Sequence, residues 1–166
     1  MEISKIEVGL KRYEPESVDV GSLIEDTLAS FSQELERRSF AVETEIESHL
    51  PPARVDAQAF SQALLNLLSN AVKYSDDVRR IVVKAARHNG RLEVSVSDRG
   101  IGISKRDQGR IFDRFYRADG SASKIAGAGL GLALVKHFAR AHGGEVTVTS
   151  VPGQGSTFTI HLPLSS

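Results

Sequence analysis

The sequence predicts an α+β fold, a two-layer sandwich with helices packed on one face of a mixed, mostly antiparallel sheet. Three observations carry that prediction. Apolar residues recur at helical spacing in three stretches, β-type apolar runs fill most of the gaps between them, and the later runs are joined by hairpin-type turns rather than by helices. Helices at both ends of the order, with hairpin-joined strands, leave a sheet that one helical layer covers. The size suits a single domain: 166 residues, 40% hydrophobic and 25% charged. Folding at this length hides about 68–70% of the unfolded surface, enough for a core without staples.

Taken in order, residues 1–20 hold the apolar pairs Ile3/Ile6 and Val8/Leu10. Pro15 then disfavours helix at Glu14, which marks the end of one element and a linker. Leu23, Ile24, Leu28, Phe31 and Leu35 predict an amphipathic helix over residues 20–38. Phe40, Val42, Thr44 and Ile46 alternate with polar neighbours as a half-buried strand, stopped by Pro51-Pro52. Asp56 is the N-cap of the longest helical pattern, with Phe60, Leu64, Leu67, Leu68 and Ala71 on one face as far as Tyr74. The runs 81–83 and 92–96 flank Asn89-Gly90, a hairpin signal. A short helix is expected over 106–114, then a polar, small-residue loop at 119–123. Leu130, Leu134, Val135, Phe138 and Ala141 form the next helical face, stopped by Gly143-Gly144. Two strands, 146–149 and 158–162, close the chain around Pro152-Gly153-Gln154-Gly155.

Composition removes several function classes. The absence of cysteine excludes disulfides, thiolate metal sites and thiol nucleophiles. No apolar run reaches the roughly 18 residues of a membrane span, and the N-terminus lacks the order of a signal peptide. Lys plus Arg (21) balance Asp plus Glu (21), which gives no bulk signature of nucleic-acid or membrane-surface binding. The balance is a cancellation: residues 1–60 carry 6 basic and 13 acidic side chains, residues 61–166 carry 15 and 8.

Four groups of residues could carry chemistry. Asn66, Asn70, Lys73 and Tyr74 fall at i, i+4, i+7 and i+8 on one side of the long helix, either as a solvated polar face or as carboxamides for a hard cation with an ammonium near phosphate. Asp98 precedes Gly100 and Gly102 at a strand end. It is either an Asx turn former or a carboxylate that accepts from a flat amino group while glycines let backbone approach a ring. Gly127, Gly129 and Gly131 open a helix beside Leu130, for close packing or for phosphate-facing amides. The spacing is that of neither the dinucleotide fold nor the P-loop. In Ile111-Phe112-Asp113-Arg114-Phe115-Tyr116-Arg117, the aromatics either make an apolar turn or pin a loop that swings arginine toward phosphate.

The order of these boxes is more specific than any one of them. Asn-x-x-x-Asn, Asp-x-Gly-x-Gly, Phe-Asp-Arg-Phe-Tyr-Arg, Gly-x-Gly-x-Gly-Leu and a final Gly-Ser-Thr-Phe resemble the catalytic ATP-binding (HATPase_c) domain of sensor histidine kinases over residues 18–163. That domain belongs to the GHKL superfamily of gyrase, MutL and the heat-shock chaperones. The resemblance implies the Bergerat ATP-binding fold, with ATP and Mg²⁺ as its ligands. Asn70 would hold Mg²⁺, Asn66 would support the site, and Lys73 and Tyr74 would contact phosphate or ribose. Asp98 would accept the adenine amino group, and Gly100 and Gly102 would let the next turn line the base. Gly127, Gly129, Leu130 and Gly131 would form the hinge of a lid over residues 104–128, expected to exchange its amides faster than the core in the absence of nucleotide. Arg117 would reach the γ-phosphate, with Lys124 where relatives often carry a second lid arginine. Gly155, Ser156 and Thr157 would close the adenine side.

Asn66, Lys73 and Arg117 are then the expected catalytic residues. True ATPases of the superfamily place a glutamate at the position of Asn66, and an amide cannot be that base. Transfer to an outside nucleophile is therefore implied. In the family this is a histidine followed by an acidic residue, and none of His49, His88, His137, His142 and His161 is so followed. Residues 1–17 are thus expected to be the remnant of a dimerisation helix and its linker, and residues 18–166 the catalytic domain. The implied partners are ATP, a dimerisation and phosphoacceptor domain outside this chain, and a response regulator receiver domain. No nucleic acid and no membrane contact are implied for this segment, and the location is cytoplasmic whether or not the parent kinase is anchored in the inner membrane. The alternatives are a nucleotide-binding docking module of a degenerate kinase, and a stand-alone ATPase or anti-sigma-type serine kinase.

Overall fold

The computed structural model describes residues 12–75, 77–113 and 131–164. Within them, strands β1 (Glu16–Val18) and β3 (Ala53–Val55) pair as a small antiparallel ladder. The main sheet has five strands in the order β2-β4-β5-β7-β6, namely β2 (Ala41–Ile46), β4 (Arg80–His88), β5 (Arg91–Asp98), β7 (Gly155–Pro163) and β6 (Glu145–Val151). All neighbours are antiparallel except β2 and β4. The helices are α1 (Val20–Ser30), α2 (Ser32–Arg37), α3 (Ala57–Tyr74), α4 (Lys105–Gln108) and α5 (Gly131–Ala141).

Period-2 alternation sorts the sheet into two faces. One row across it is Val83, Val96, Phe158 and Val148, and the next is Ala85, Val94, Ile160 and Val146. These residues are buried except on the edge strand β6, and they meet Phe60, Leu64, Leu67 and Leu68 of α3 and Val135 and Phe138 of α5 in one core. Each such large side chain taken from water contributes roughly 1.5–3 kcal/mol. The opposite face is polar, with Glu93 beside His161 and Arg80 paired with Glu43. One covered and one open face is the sandwich that the sequence predicts.

Local chemistry explains the element ends. Asp56 Oδ1 accepts from Ala59 N at 3.0 Å, the expected N-cap of α3. Asn89 (φ 52°) and Gly90 (φ 75°) form the two-residue β4–β5 turn, a conformation that requires positive φ at both positions. At the end of α5, Gly143 adopts φ 80°, Gly144 N donates to Ala139 O and Gly143 N to Arg140 O. This is the Schellman pattern.

Two sequence expectations need correction. The helix over 20–38 is two helices broken at Phe31. There the hydroxyls of Ser30 and Ser32 donate to Thr27 O and Ala29 O and compete with the helical ladder. Of the helix expected over 106–114, the described residues hold only the four-residue α4, capped by Ser104 and followed by turns at Arg110 and Asp113. Residues from Tyr13 onward pack on the domain, because β1 adds to β3 and Tyr13 lies on α5.

Candidate functional site

Strand β5 ends in Asp98, which is 9% exposed and faces the helical layer. Its Oδ1 accepts from Gly100 N at 2.9 Å and from Ser156 N at 3.3 Å. The first bond is the Asx turn that a strand-end aspartate forms. The second comes from β7 and ties the carboxylate across the sheet. No described residue donates to Oδ2, so one oxygen holds the turn while the other remains an acceptor for something else. Burial raises the carboxyl pKa above its ordinary 3.8, and the two backbone donors offset only part of that rise.

Three glycines let backbone segments close on this carboxylate. A Cβ on Gly100 would lie 2.1 Å from Tyr74 O, and one on Gly155 (φ 119°) would lie 2.1 Å from Asp98 O. Gly102 adopts φ 74°, and its Cβ would meet Val151 O at 2.3 Å. Hydrogen bonds complete the stitching: Ile101 N donates to Tyr74 O at 3.1 Å, and Gly153 N to Ile101 O at 2.7 Å. The C-terminal end of α3, the Asp98 turn and the β6–β7 hairpin therefore form one body.

That body brings the asparagine helix to the turn. Asn70 and Tyr74 are half-buried and Lys73 is exposed on α3. Asn66 is half-buried too, and its Nδ2 is buried without a hydrogen-bond partner among the described residues. A Cβ on Gly131, the first residue of α5, would lie 3.6 Å from Asn66 Oδ1. The last glycine of the Gly-rich box thus faces the asparagine across the α3–α5 packing. An orphaned carboxamide beside a helix entry, and an unshared carboxylate oxygen beside glycine-lined backbone, fit a ligand with both acceptor-rich and flat amino-bearing parts.

Arg117, Lys124, Gly127, Gly129 and Leu130 lie outside the described residues, as does Phe115. Within the expected lid, residues 104–113 are anchored. Phe112 packs edge-on against Phe158 with ring centroids 6.0 Å apart, and Gln108 Nε2 donates to Ile103 O and Ser150 O. Thr157 is corrected: its hydroxyl lies 2.8 Å from that of Ser97 on the polar sheet face, opposite Asp98. Strand parity decides this, since a one-residue shift moves a side chain to the other face. Ser156, buried, is the residue on the Asp98 side.

Ser150 is a positioning residue that sequence analysis missed. Its hydroxyl accepts from Ile103 N at 2.8 Å and lies 2.9 Å from Gly155 O and 2.8 Å from Ser156 Oγ. The signal was available: Ser150 continues the inward row Val146, Val148 as a polar residue where an apolar one is due.

Comparison with known proteins gives the same frame. Residues 55–166, more than half of the chain, match the family described as histidine kinase-, DNA gyrase B-, and HSP90-like ATPase. The sensor-like histidine kinase SenX3 of Mycolicibacterium smegmatis is 35% identical over 166 residues, which is 98% of this chain and 42% of that protein. The chain therefore spans less than half the length of that curated relative. The crystal structure of full-length ShkA in complex with AMPPNP aligns with a TM-score of 0.82 at 30% identity, covering 94% of this chain and 32% of that one. The mycobacterial sensor histidine kinase MprB aligns with a TM-score of 0.77 at 31% identity, covering 90% of this chain and 98% of that one.

Proposed function

The chain belongs to the histidine kinase-, DNA gyrase B-, and HSP90-like ATPase family as a catalytic domain of the sensor histidine kinase type, and from that premise we propose that it binds ATP with Mg²⁺ and supports transfer of the γ-phosphoryl group to a histidine on a separate dimerisation domain. The observation that carries this proposal is Asp98: a buried carboxylate with one oxygen fixed by two backbone N–H groups and the other unshared, in a wall of glycines. An adenine amino group is a donor that such an oxygen accepts, and the absent Cβ atoms let the backbone segments around Asp98 close up and hold the carboxylate in place. The AMPPNP complex of ShkA supports an adenine nucleotide as the ligand class.

Ser156 and Gly155 hold Asp98 from β7, in place of Thr157. Asn70 is the proposed metal ligand and Asn66 its support, with Lys73 and Tyr74 toward phosphate or ribose. Arg117, Lys124, Gly127, Gly129, Leu130 and Gly131 are proposed for the phosphate side on sequence grounds. When bound, Mg²⁺ would neutralise phosphate charge while keeping most of its water ligands. Asn66 has no basic oxygen to deprotonate water, which favours an outside nucleophile. In the transfer, a histidine ring nitrogen of the partner forms a bond to the γ-phosphorus, the bond to the bridging oxygen breaks, ADP leaves with that electron pair, and the ring proton passes to solvent. Onward transfer to a response regulator receiver domain follows from the same proposal. Among the described residues no helix is long and apolar enough to cross a membrane.

Titration calorimetry of the chain with ATP, in Mg²⁺ and then in EDTA, tests the binding step. Binding is expected in both, weaker without the metal. Absence of binding in Mg²⁺, or equal affinity in EDTA, would reject the ATP·Mg²⁺ assignment.

A further inference from the structure

The helical layer leaves a groove beside the point where the chain enters the domain. Its walls are Gln58, Ala59, Gln62 and Ala63 of α3 and Leu134 and Phe138 of α5, and Tyr13 closes one end. Phe60 and Leu64 turn into the core, while alanine at 59 and 63 leaves space on the flank between the two helices. The groove has a volume of about 140 Å³, close to the roughly 150 Å³ at which an apolar cavity takes up a benzene ring. It suits one or two aliphatic side chains rather than a nucleotide or a whole helix. No charged side chain lines it among the described residues, and the two glutamines give it a neutral rim.

Two observations name the occupant. The first is where the chain enters. Glu14 N donates to Asp56 Oδ2 at 2.8 Å, and the Tyr13 ring sits edge-on to Phe138 with centroids 6.2 Å apart. The described chain begins at Arg12, so residues 1–11 lead directly to the Tyr13 end of this groove. The second is spacing. Ile3, Ile6, Leu10 and Tyr13 recur at i, i+3, i+7 and i+10, the apolar stripe of a helix, and the last member of that stripe already lies on the groove. Leu10 is three residues from Tyr13, a span of at most about 10 Å. Helical rise sets Ile6 and Leu10 about 6 Å apart, which is also the separation of Ala59 and Ala63 along α3. Phe60 meets Phe138 and Asn66 lies beside Gly131, so α3 and α5 run antiparallel. The groove therefore runs from Tyr13 past Ala59 and Phe138 to Ala63 and Leu134.

We propose that residues 3–10 of this chain dock in the α3–α5 groove as a short amphipathic helix, with Leu10 between Ala59 and Phe138 and Ile6 between Ala63 and Leu134. A helix this short does not hold itself together in water, so the groove supplies its order. The segment that precedes the domain is then joined to the helix that carries Asn66 and Asn70, and the two move as one body. The docking does not depend on the nucleotide assignment.

The chain has no cysteine, so introduced cysteine pairs report without background. Ile6→Cys is combined with Gln58→Cys or Gln62→Cys on the groove rim, and with Lys84→Cys on the open sheet face as the control. Mild oxidation of the dilute full chain is followed by non-reducing gels and peptide mass spectrometry. An intrachain disulfide is expected to form at one of the glutamine positions at least about tenfold faster than at Lys84, because docking raises the local concentration above that of a tether alone. Hydrogen exchange on the full chain is the second measurement. The amides of residues 6–10 are expected to be protected about tenfold over unstructured rates, and Ile6→Asp with Leu10→Asp should remove that protection while the Val94 amide in β5 stays unchanged. Rates at both glutamines no faster than at Lys84, unstructured exchange of residues 6–10 in the parent chain, or disulfides that join two chains and so seat a second copy in the groove would each overturn the docking.

Discussion

Asp98→Asn is expected to weaken ATP binding by about 1–3 kcal/mol, the range for losing a buried charged acceptor. An asparagine can keep its oxygen on Gly100 N and Ser156 N, where Asp98 Oδ1 now lies. Its amide nitrogen then replaces Oδ2 and presents a donor to the donor of the base. The fold should not suffer, because burial raises the Asp98 pKa and the charged form therefore works against folding. That penalty is absent below the ordinary carboxylate value of 3.8 and develops as pH rises from there through the raised value. At pH 7 the variant should melt at or above the parent temperature, with the difference shrinking near pH 3.5. Calorimetric titration and thermal melts read the two effects separately. Unchanged affinity removes the adenine assignment, and lost affinity with a lowered melting temperature assigns Asp98 to the fold instead.

Gly155→Ala is the second large effect, and it falls on stability. Gly155 adopts φ 119°, which only glycine occupies readily, and its Cβ would meet Asp98 O at 2.1 Å, Arg99 Cα at 2.8 Å and Asp98 C at 2.9 Å. All three are backbone atoms that cannot rotate away. Backbone strain of about 1–3 kcal/mol adds to overpacking of about 1–3 kcal/mol, so a loss of roughly 2–6 kcal/mol is expected. Against a total stability of about 5–15 kcal/mol this is severe. Gly153 in the same hairpin is the control: its φ is 81° with nothing within 4 Å, and alanine there should lose only about 1–2 kcal/mol. Urea denaturation of both variants checks this, and equal losses would show that the close approach to Asp98 carries no strain.

Local signals made most of the frame legible before the structure. Asp56 as N-cap, Asn89-Gly90 as a hairpin and Gly143-Gly144 as a helix stop each follow from the chemistry of one or two residues, and each stands where expected. The rows of alternating apolar residues in β4, β5 and β7 fixed the covered face. What escaped was short or long-range. Strands β1 and β3 have three residues each, too few to show a period, and they exist because they pair with each other. The parallel pairing of β2 with β4 has no local signature. Tyr13 meets His137 across 124 positions of sequence.

The site was legible in the same uneven way. Asp98, Gly100 and Gly102 lie at one turn, and Gly131 packs beside Asn66, a contact between helices that the motifs do not specify. The Gly-Ser-Thr-Phe box names Gly155, Ser156 and Thr157 together and carries no parity. Ser156 faces Asp98 and Thr157 faces Ser97, a distinction that needs the β5–β7 register rather than the motif.

The central claim is transfer to an outside histidine, and one assay addresses it. The chain is mixed with γ-labelled ATP, Mg²⁺ and a purified sensor-kinase dimerisation domain that carries its phosphoacceptor histidine, and the label is followed for acid lability. Acid-labile phosphohistidine on the added domain, dependent on this chain and absent when that histidine is replaced by glutamine, is the predicted result. Steady phosphate release by the chain alone with no label on the added domain, or an acid-stable label on serine, would contradict it.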